Sequence, residues 1–418
     1  MELAAEIAAI CRRARDAARK IAPEPRARKD AALQAIVRAL RARRTQILEA
    51  NARDVAGAEA RGTRGALLDR LTLNDARMEA VYKGIQEIAA FEDPVGQVVA
   101  QTTRANGLRV ARVRVPIGVV AMIYEARPNV TVEASALTLK AGNAIVLRGG
   151  SEAAHSNAAL AEAIGIGLAE AGLPRDAVQV VPFTDREAIR VLVQQTDNVD
   201  LAIPRGGEAL IRFVTENARV PVVQHYKGVC HMFVDRGADA ETARRLAVDG
   251  KLSRPGVCNA LECLLVDAVD AERLLPVVAQ GLVEGGCEIR GDARTCALVP
   301  VARPANEDDW GREFLDKIIA IRVVDGLDGA LLHIARHGSG HTEAICTKNA
   351  DHAARFRHEV DAACVVVNAS TRFHDGGELG LGAEIGIATS RLHWRGPMGL
   401  EALTTNKWVV EGEGQTRG

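Results

Sequence analysis

Aromatic residues, excess charge of either sign and long hydrophobic runs are all scarce in this 418-residue chain. Only 3% of the residues are aromatic, and the formal net charge is −1. Nucleic acid is not an expected partner, because surfaces that bind it carry stacking aromatic side chains and an excess of basic residues. No apolar run approaches the length of a membrane span. The amphipathic N-terminus also lacks the apolar core and cleavage site of a secretory signal, so no membrane association is expected.

Several motifs of familiar chemistries are missing as well. The chain has no G-x-G-x-x-G dinucleotide fingerprint, no G-x-S-x-G nucleophile elbow and no C-x-x-C pair among its eight cysteines. Cysteines without framework spacing in a chain of this length are typical of a reduced, cytoplasmic protein. The hydrophobic fraction of 48% predicts a globular protein with sizeable cores, and the length predicts two or three domains.

Three histidines, His333, His337 and His341, have helical spacing and could suggest a metal site. Gly338-Ser339-Gly340 interrupts any helix between them, so the three rings need not share a face. We therefore expect no metal site at these histidines.

The coarse organisation changes along the chain. Apolar residues at helical spacing predict helices through the first ninety or so residues. Residues 97–115 place two extended runs around Asn106-Gly107, which favours a hairpin with a type I′ turn. A projecting hairpin needs a partner surface to be stable, and a neighbouring subunit could supply it. We expect a homo-oligomer that uses this hairpin and the tail around 404–410.

Beyond residue 117, continuous apolar strands alternate with helices. This pattern predicts an α/β fold with two parallel sheets, each covered on both faces. One predicted strand is 220–223, and the break near 223–228 separates the two runs of alternating elements. We expect a cofactor-binding domain at 1–225, a catalytic domain at 226–367 and a return segment with an oligomerisation tail at 368–418.

One cysteine stands out by its surroundings. The run Arg254-Pro255-Gly256-Val257-Cys258-Asn259 places Cys258 in a Pro-Gly loop between a predicted helix at 238–252 and a predicted strand at 261–266. A thiolate is a strong nucleophile toward carbonyl carbons. The chemistry allows a catalytic Cys258, and an inert surface thiol is the competing interpretation.

Four polar loops follow predicted strands, where a parallel sheet binds its ligands. They begin after residues 123, 147, 203 and 367. The second and third each place an arginine beside two glycines at a helix start: Arg148-Gly149-Gly150-Ser151 and Pro204-Arg205-Gly206-Gly207. Backbone N–H groups and a guanidinium together favour phosphate, which suggests a phosphate-bearing cofactor.

The order of the motifs resembles the aldehyde dehydrogenase superfamily, and within it the branch that acts on L-glutamate 5-phosphate. The carrying segments run over nearly the whole chain: YEARPNVT (124–131), LRGGSEA (147–153), DLAIPRGG (200–207), VPVVQHYKG (220–228), RPGVCN (254–259), HGSGHTE (337–343) and NASTRFHDGGELGLGAEIGI (368–387). The resemblance implies an aldehyde-dehydrogenase-like fold of two parallel-sheet domains plus a small β-hairpin oligomerisation element.

The resemblance also implies a reaction. Cys258 would attack the acyl phosphate, expel phosphate and form a thioester. NADPH would then reduce the thioester to L-glutamate 5-semialdehyde, in proline biosynthesis from glutamate. For the oxyanion, the candidates are the Cys258 backbone N–H, the Asn129 side chain and Arg127, and they remain open alternatives because Arg127-Pro128-Asn129 matches the family pattern inexactly.

The remaining site residues come by the same resemblance. Arg148, with Gly149, Gly150 and Ser151, would meet the adenosine ribose, and a guanidinium there favours NADP over NAD. Residues 204–207, namely Pro204, Arg205, Gly206 and Gly207, would form the pyrophosphate side, and Glu313 would hold the nicotinamide ribose. Substrate contacts would come from Arg127 and from the loop residues Asn368, Ser370, Thr371 and Arg372, with Arg372 as the carboxylate clamp.

Two rival functions remain open at this point. An NAD-dependent aldehyde dehydrogenase oxidising a small aldehyde needs a carboxylate that activates water, and residues 223–228 (VQHYKG) supply none. A non-catalytic member of the fold, acting as a binding partner, would have an unreactive Cys258. Transient contact with a glutamate 5-kinase that makes the unstable substrate is a further expectation.

Overall fold

The structure is a computed structural model that describes residues 2–417, apart from the side chain at position 66. Its chain divides into two compact units. The first comprises residues up to Gln224 together with 380–386 and 398 onward, and the second comprises 225–379 and 387–397. The predicted return segment 368–418 is therefore shared between the two units.

Helices and strands have the following bounds. The helices are α1 (Glu2–Ile21), α2 (Arg26–Ala42), α3 (Arg44–Ala60), α4 (Gly65–Leu71), α5 (Asp75–Ala90), α6 (Pro128–Lys140), α7 (Ala154–Glu170), α8 (Arg186–Leu192), α9 (Glu208–Asn217), α10 (Ala240–Leu252), α11 (Ala271–Glu284), α12 (Ala293–Leu298), α13 (Gly326–His337) and α14 (Ala350–Glu359). The strands are β1 (Val98–Thr103), β2 (Arg109–Pro116), β3 (Val119–Tyr124), β4 (Ala144–Gly149), β5 (Val178–Val180), β6 (Leu201–Arg205), β7 (Cys230–Val234), β8 (Leu261–Asp267), β9 (Glu288–Gly291), β10 (Arg303–Pro304), β11 (Ile318–Val324), β12 (Thr342–Cys346), β13 (Cys364–Val367), β14 (Ile387–Ala388), β15 (Gly396–Pro397) and β16 (Thr404–Glu411).

The first unit is built on a four-stranded parallel sheet in the order β5-β4-β3-β6. Strands β3 and β4 are buried throughout, as the apolar runs at 119–123 and 144–147 predict. In the register of this sheet, Tyr124 pairs with both Gly149 and Arg205. The three loops that follow β3, β4 and β6 therefore start from one row at the carboxyl edge of the sheet.

The hairpin at 97–115 is confirmed, but its turn type is wrong. Arg104 and Leu108 close a three-residue loop, and Gly107 donates its N–H to the Arg104 carbonyl. Gly107 has a φ of +88°, whereas Asn106 is not among the described residues with positive φ. A type I′ turn needs positive φ at both positions, so the loop is a type I turn followed by a left-handed glycine. Strand β16 pairs antiparallel with β2 and extends the hairpin to three strands.

The second unit is built on a seven-stranded sheet in the order β10-β9-β11-β8-β7-β12-β13, with every pairing parallel. Its central strands β7, β8 and β12 are fully buried. The helices that alternate with these strands confirm the predicted α/β organisation.

The predicted strand at 220–223 is wrong. Only an isolated parallel bridge between Ala202 and Val222 forms there. Pro221 lies inside the run and has no N–H to donate, so the ladder cannot extend along this segment.

Candidate active site

The thiol loop, residues 253–260, joins α10 to β8 at one edge of the second unit's sheet. Cys258 in this loop is half-buried, whereas Cys11, Cys230, Cys263 and Cys287 are buried. Burial raises the pKa of Cys11 and Cys287 to about 12, which keeps these two thiols protonated. Cys296 and Cys364 are half-buried as well, so Cys258 is distinguished by its place in the thiol loop rather than by exposure.

The chain at Gly228 packs against the Cys258 backbone. A Cβ added at Gly228 would lie 2.7 Å from the Cys258 carbonyl carbon and 2.8 Å from its Cα, closer than real contacts allow. The Gly228 N–H donates to Glu313 Oε1 at 2.9 Å, and the Cys230 thiol lies 3.3 Å from the Cys258 carbonyl oxygen. Glu313, which is expected at a nicotinamide ribose, therefore contacts Gly228, and Gly228 packs against the thiol loop.

Asn259 links the thiol loop to the loop that follows β13. Its Nδ2 donates to the carbonyl oxygens of His374 at 3.0 Å and Arg372 at 3.3 Å. Its Oδ1 accepts a hydrogen bond from Arg372 Nη1. The predicted clamp, Arg372, is therefore held beside the predicted nucleophile by the residue that follows Cys258. Asn259 lies inside the motif RPGVCN, but that motif gave it no role.

A chain of neutral imidazoles lies behind this loop. His341 Nδ1 is 2.7 Å from Thr342 Oγ1, which is 2.8 Å from His374 Nδ1. Burial lowers the pKa of His374 to about 4 and holds the pKa of His341 well below its usual value. Both rings are therefore uncharged at neutral pH. His341 Nδ1 also lies 3.8 Å from the Cys230 sulfur.

The other predicted substrate residues divide by role. Asn368 has a φ of +55°, and both polar atoms of its side-chain amide bond to the Thr347 backbone. Its Oδ1 accepts the Thr347 N–H at 2.8 Å, and its Nδ2 donates to the Thr347 carbonyl oxygen at 2.9 Å. Ser370 Oγ accepts from the Arg372 N–H at 3.3 Å. Thr371 is buried, and its Oγ1 has no hydrogen-bond partner within residues 2–417. The contacts of Asn368 and Ser370 hold the loop that carries Arg372.

The carboxyl edge of the first unit's sheet contains two carboxylates that the sequence analysis had not assigned. Glu152 Oε1 accepts the Ala126 N–H at 2.6 Å, and Glu125 Oε2 accepts the Gly207 N–H at 3.1 Å. These bonds join the loops after β3, β4 and β6, as the strand register requires. Both acids lie inside motifs of the sequence analysis, but their roles depend on cross-loop contacts that spacing does not reveal.

Arg148 is 5% exposed at the end of β4. Its Nη2 donates to the carbonyl oxygens of Thr184 and, at 3.1 Å, Asp185. Its Nε has no partner in the described part of the chain. A Cβ on Gly149 would lie 3.2 Å from Asn157 Cγ and 3.3 Å from the Tyr124 ring, so its packing favours glycine; one on Gly150 would lie 2.5 Å from the Glu152 carboxyl carbon, which would have to move. Ser151 is exposed and begins a single 3-10 turn.

The helix α9 begins after Gly207, and no side chain caps it. A Cβ added at Gly207 would meet no described atom within 4 Å, whereas one at Gly206 would lie 2.7 Å from Leu210 Cδ2. Pro204 is buried and Arg205 is half-buried at the end of β6. An open, uncapped helix start beside Arg205, with the unsatisfied Arg148 Nε on the same sheet, fits the phosphates of a dinucleotide. The Gly207 N–H, which donates to Glu125 here, is also one that a phosphate oxygen could accept.

Asn129 and Arg127 lie at the start of α6, where Pro128 occupies the first turn. Asn129 Nδ2 donates to Glu133 Oε1 at 3.0 Å. Burial raises the pKa of Glu133, and the Asn129 hydrogen bond partly offsets this. One N–H of the Asn129 amide is thereby committed within the helix, and Arg127 is exposed.

Comparison with known proteins places the chain. The sequence profile of the aldehyde dehydrogenase family matches residues 2–284. A protein of Sorangium cellulosum named gamma-glutamyl phosphate reductase is 62% identical, covering 100% of this chain and 99% of its own. The crystal structure of gamma-glutamyl phosphate reductase from Thermotoga maritima superposes with a TM-score of 0.97 at 46% identity, over 99% of this chain and 100% of that one. The chain belongs to the gamma-glutamyl phosphate reductases of the aldehyde dehydrogenase family.

Membership confirms the fold and the family that the motif order indicated. A second gamma-glutamyl phosphate reductase, from Saccharomyces cerevisiae, is 30% identical with a TM-score of 0.54 over 97% of both chains. An acetylating aldehyde dehydrogenase from Geobacillus thermoglucosidasius, at 17% identity and a TM-score of 0.69, shares the fold. Within residues 2–417, the helices are all too short or too polar to cross a membrane.

Proposed function

We propose that this chain reduces L-glutamate 5-phosphate to L-glutamate 5-semialdehyde and phosphate, as the second step of proline biosynthesis from glutamate. The observation that carries the proposal is full-length identity of 53–62% to proteins named gamma-glutamyl phosphate reductase. The half-buried thiol in a loop held by Gly228 and Asn259 supports it, because an acyl phosphate is a fitting target for a positioned thiolate.

The first step forms a bond between Cys258 Sγ and the carbonyl carbon of the acyl phosphate. The bond from that carbon to the phosphate oxygen breaks, and phosphate leaves with the electron pair. Phosphate is stable as an anion at neutral pH, so its departure needs no strong acid. This agrees with the low pKa values of the neighbouring His341 and His374, which leave no imidazolium to donate a proton.

In the second step the thioester carbonyl is reduced. A reduced nicotinamide cofactor supplies the hydride when it is bound. The tetrahedral oxyanion then collapses to the aldehyde, and the carbon–sulfur bond breaks to return the thiolate. The Cys258 backbone N–H, the Asn129 amide and the Arg127 guanidinium are the candidate oxyanion donors. Asn129 retains one amide hydrogen for this role, since Glu133 takes the other.

The cofactor is NADPH in this proposal. Residues 148–151 and 204–207 would hold the adenosine and pyrophosphate parts, and Glu313 would meet the nicotinamide ribose. The buried Arg148 supports NADP, because a guanidinium with an unsatisfied Nε can pair with a 2′-phosphate. The Arg148 Nη2, however, is already bonded to the backbone at 184 and 185, so only part of the guanidinium remains for the ligand.

Arg372 is the proposed clamp for the substrate α-carboxylate. Its contact with Asn259 keeps it beside the thiol loop, and its Nε has no partner among residues 2–417. Asn368, Ser370 and Thr371 would complete the pocket through the loop they shape. Binding the α-carboxylate would fix the distance between this group and the reacting carbonyl, which selects for a substrate of glutamate length.

Assembly and location complete the proposal. Strand β1 is exposed along its whole length, and Trp408 on β16 is 67% exposed, so this three-stranded sheet could serve as a homo-oligomer interface. We place the enzyme in the cytoplasm, where reduced thiols persist, with transient contact to the kinase that makes its labile substrate.

The test is NADPH oxidation by the purified chain with glutamyl phosphate generated by a glutamate 5-kinase. The reverse direction separates this function from oxidation of an aldehyde to its acid. With semialdehyde and NADP, turnover should require inorganic phosphate, because phosphate must attack the thioester. Turnover that proceeds equally well without phosphate would contradict the proposed reaction.

A further inference from the structure

Three neighbouring strands of the second unit carry a row of buried polar side chains that the proposed reaction does not use. His231 on β7 pairs in register with Glu343 on β12 and with Cys263 on β8. Side chains at matched positions of parallel strands point to the same face of the sheet. All three are at most 1% exposed. Such a row inside an apolar core needs a reason, because buried polar groups cost free energy unless they are satisfied.

The helix α13 covers this face and adds a second imidazole. His333 is 5% exposed, and its Nε2 lies 3.6 Å from Cys263 Sγ. The rings of His231 and His333 have centroids 5.4 Å apart. One ligand atom from each of His231, Cys263 and His333 lies within 4.8 Å of the other two. Three side chains of metal-binding type therefore converge on one point.

The two nitrogens of His231 have different surroundings. Nδ1 lies 2.9 Å from Glu343 Oε2, which also accepts the His231 backbone N–H at 3.0 Å. Nε2 is buried and has no hydrogen-bond partner in the described chain. A carboxylate that fixes one imidazole nitrogen while the other is left to a ligand is the arrangement found behind metal-bound histidines.

The Cys263–His333 separation suits zinc. Zinc–sulfur and zinc–nitrogen bonds of about 2.3 and 2.05 Å at a tetrahedral angle give a sulfur–nitrogen separation of about 3.6 Å. The Cys263–His333 distance equals this value. A thiol–imidazole hydrogen bond would span the same 3.6 Å, so metal binding itself must distinguish the two arrangements.

We propose that His231 Nε2, Cys263 Sγ and His333 Nε2 bind one Zn²⁺, with Glu343 orienting His231 and water in the fourth position. The Cys263 thiolate and the Glu343 carboxylate balance the two charges of the ion. The ion joins β7, β8 and α13 behind the thiol loop, so its role is to fix the sheet that carries Cys258.

The protein surface beside His333 is recessed. A cavity of about 200 Å³ is lined by His333, His337 and Arg322, among others. Arg322 Nη1 lies 3.3 Å from His333 Nδ1. Zinc on Nε2 leaves the proton on Nδ1, so Arg322 turns away from this nitrogen into the cavity as the ion binds.

The test uses Co²⁺ as a spectroscopic substitute for zinc in full-length, chelator-stripped protein carrying Cys258→Ala, so that the catalytic thiol cannot contribute. We expect one Co²⁺ per chain, with thiolate-to-cobalt charge-transfer absorption and the visible bands of tetrahedral cobalt, all displaced by Zn²⁺. Adding Cys263→Ser should abolish the charge-transfer band. Adding Cys364→Ser, on β13 of the same sheet, should leave it unchanged.

A second variant, His333→Ala, serves if Cys263→Ser does not fold, because His333 borders the cavity. It should weaken Co²⁺ binding at least tenfold and remove the rise in melting temperature that Zn²⁺ gives the parent. Absence of a charge-transfer band in the parent, or a band that survives Cys263→Ser or His333→Ala, would overturn the zinc site. Neither result bears on the proposed reductase reaction, which is measured separately.

Discussion

Substituting Gly228 perturbs the thiol loop without substituting Cys258 itself. In Gly228→Ala, the new Cβ would lie 2.7 Å from the Cys258 carbonyl carbon. Ordinary carbon–carbon contacts are about 3.5–4.0 Å, so the two segments must separate by about 1 Å. A displacement of about 1 Å in a reacting group can cost roughly 100-fold in rate, or about 2.7 kcal/mol of activation free energy.

The assay is kcat for NADPH oxidation with kinase-generated glutamyl phosphate, together with the alkylation rate of Cys258 and the melting temperature. We expect kcat to fall about 100-fold, with a loss in unfolding free energy of about 1–3 kcal/mol from overpacking. The matched control is Gly84→Ala on α5, where an added Cβ meets no described atom within 4 Å. This control should keep full activity and gain up to about 1 kcal/mol in stability. A Gly228→Ala enzyme within twofold of the parent in both kcat and alkylation rate would refute the reasoning.

Three further predictions concern the buried Lys251–Glu262 ion pair and the two arginines proposed to bind substrate and cofactor. Lys251 and Glu262 form an ion pair at 2.6 Å, and both side chains are 0% exposed. Lys251→Met should therefore lower the unfolding free energy by about 3–5 kcal/mol, and adding Glu262→Leu should restore most of this loss. Burial raises the pKa of Glu262 from 4.5 to about 7, and Lys251 partly opposes this rise. Without Lys251 the pKa of Glu262 rises further, so the loss of unfolding free energy in urea should be larger at pH 8 than at pH 5. An equal loss at both pH values would contradict this. Arg372→Lys should lower kcat/KM for glutamyl phosphate about 10- to 100-fold. It should hardly change any rate measured with acetyl phosphate, which has no α-carboxylate, and equal losses with both substrates would point to damage of the Asn259 contact instead. Arg148→Gln should raise the KM for NADPH at least tenfold and the KM for NADH much less, and equal shifts would remove Arg148 from cofactor discrimination.

The regular parts of the fold were predictable because local patterns determine them. Unbroken apolar runs such as 119–123 and 144–147 indicate strands of a covered sheet, and the helices between them keep helical spacing. Two structural predictions were wrong, the strand at 220–223 and the type of the hairpin turn, and both lie where local geometry departs from the regular pattern. Pro221 cannot extend a ladder, and the chain near Asn106 takes a longer loop than the Asn-Gly pair alone predicts.

The site residues that could be predicted were those whose roles the family motifs imply. Cys258 and Arg372 lie in quoted motifs, and the structure links both through Asn259. The acceptors Glu125 and Glu152 act across loops that are distant in sequence, so no spacing rule could assign them.

The side chains of the proposed zinc site could not be found from the sequence for the same reason. The expectation of no metal rested on the spacing of His333, His337 and His341. The proposed site takes only His333 from that set, and its other ligands, His231 and Cys263, come from different strands.

The central claim is that Cys258 carries the acyl group before hydride arrives. The most direct measurement is intact-protein and peptide mass spectrometry after mixing the enzyme with glutamyl phosphate in the absence of cofactor, followed by an acid quench. The account predicts a glutamyl thioester on the peptide that contains residue 258, and neither adduct nor reductase activity in Cys258→Ala. Reduction at the parent rate by Cys258→Ala, or an adduct only on another cysteine, would contradict it.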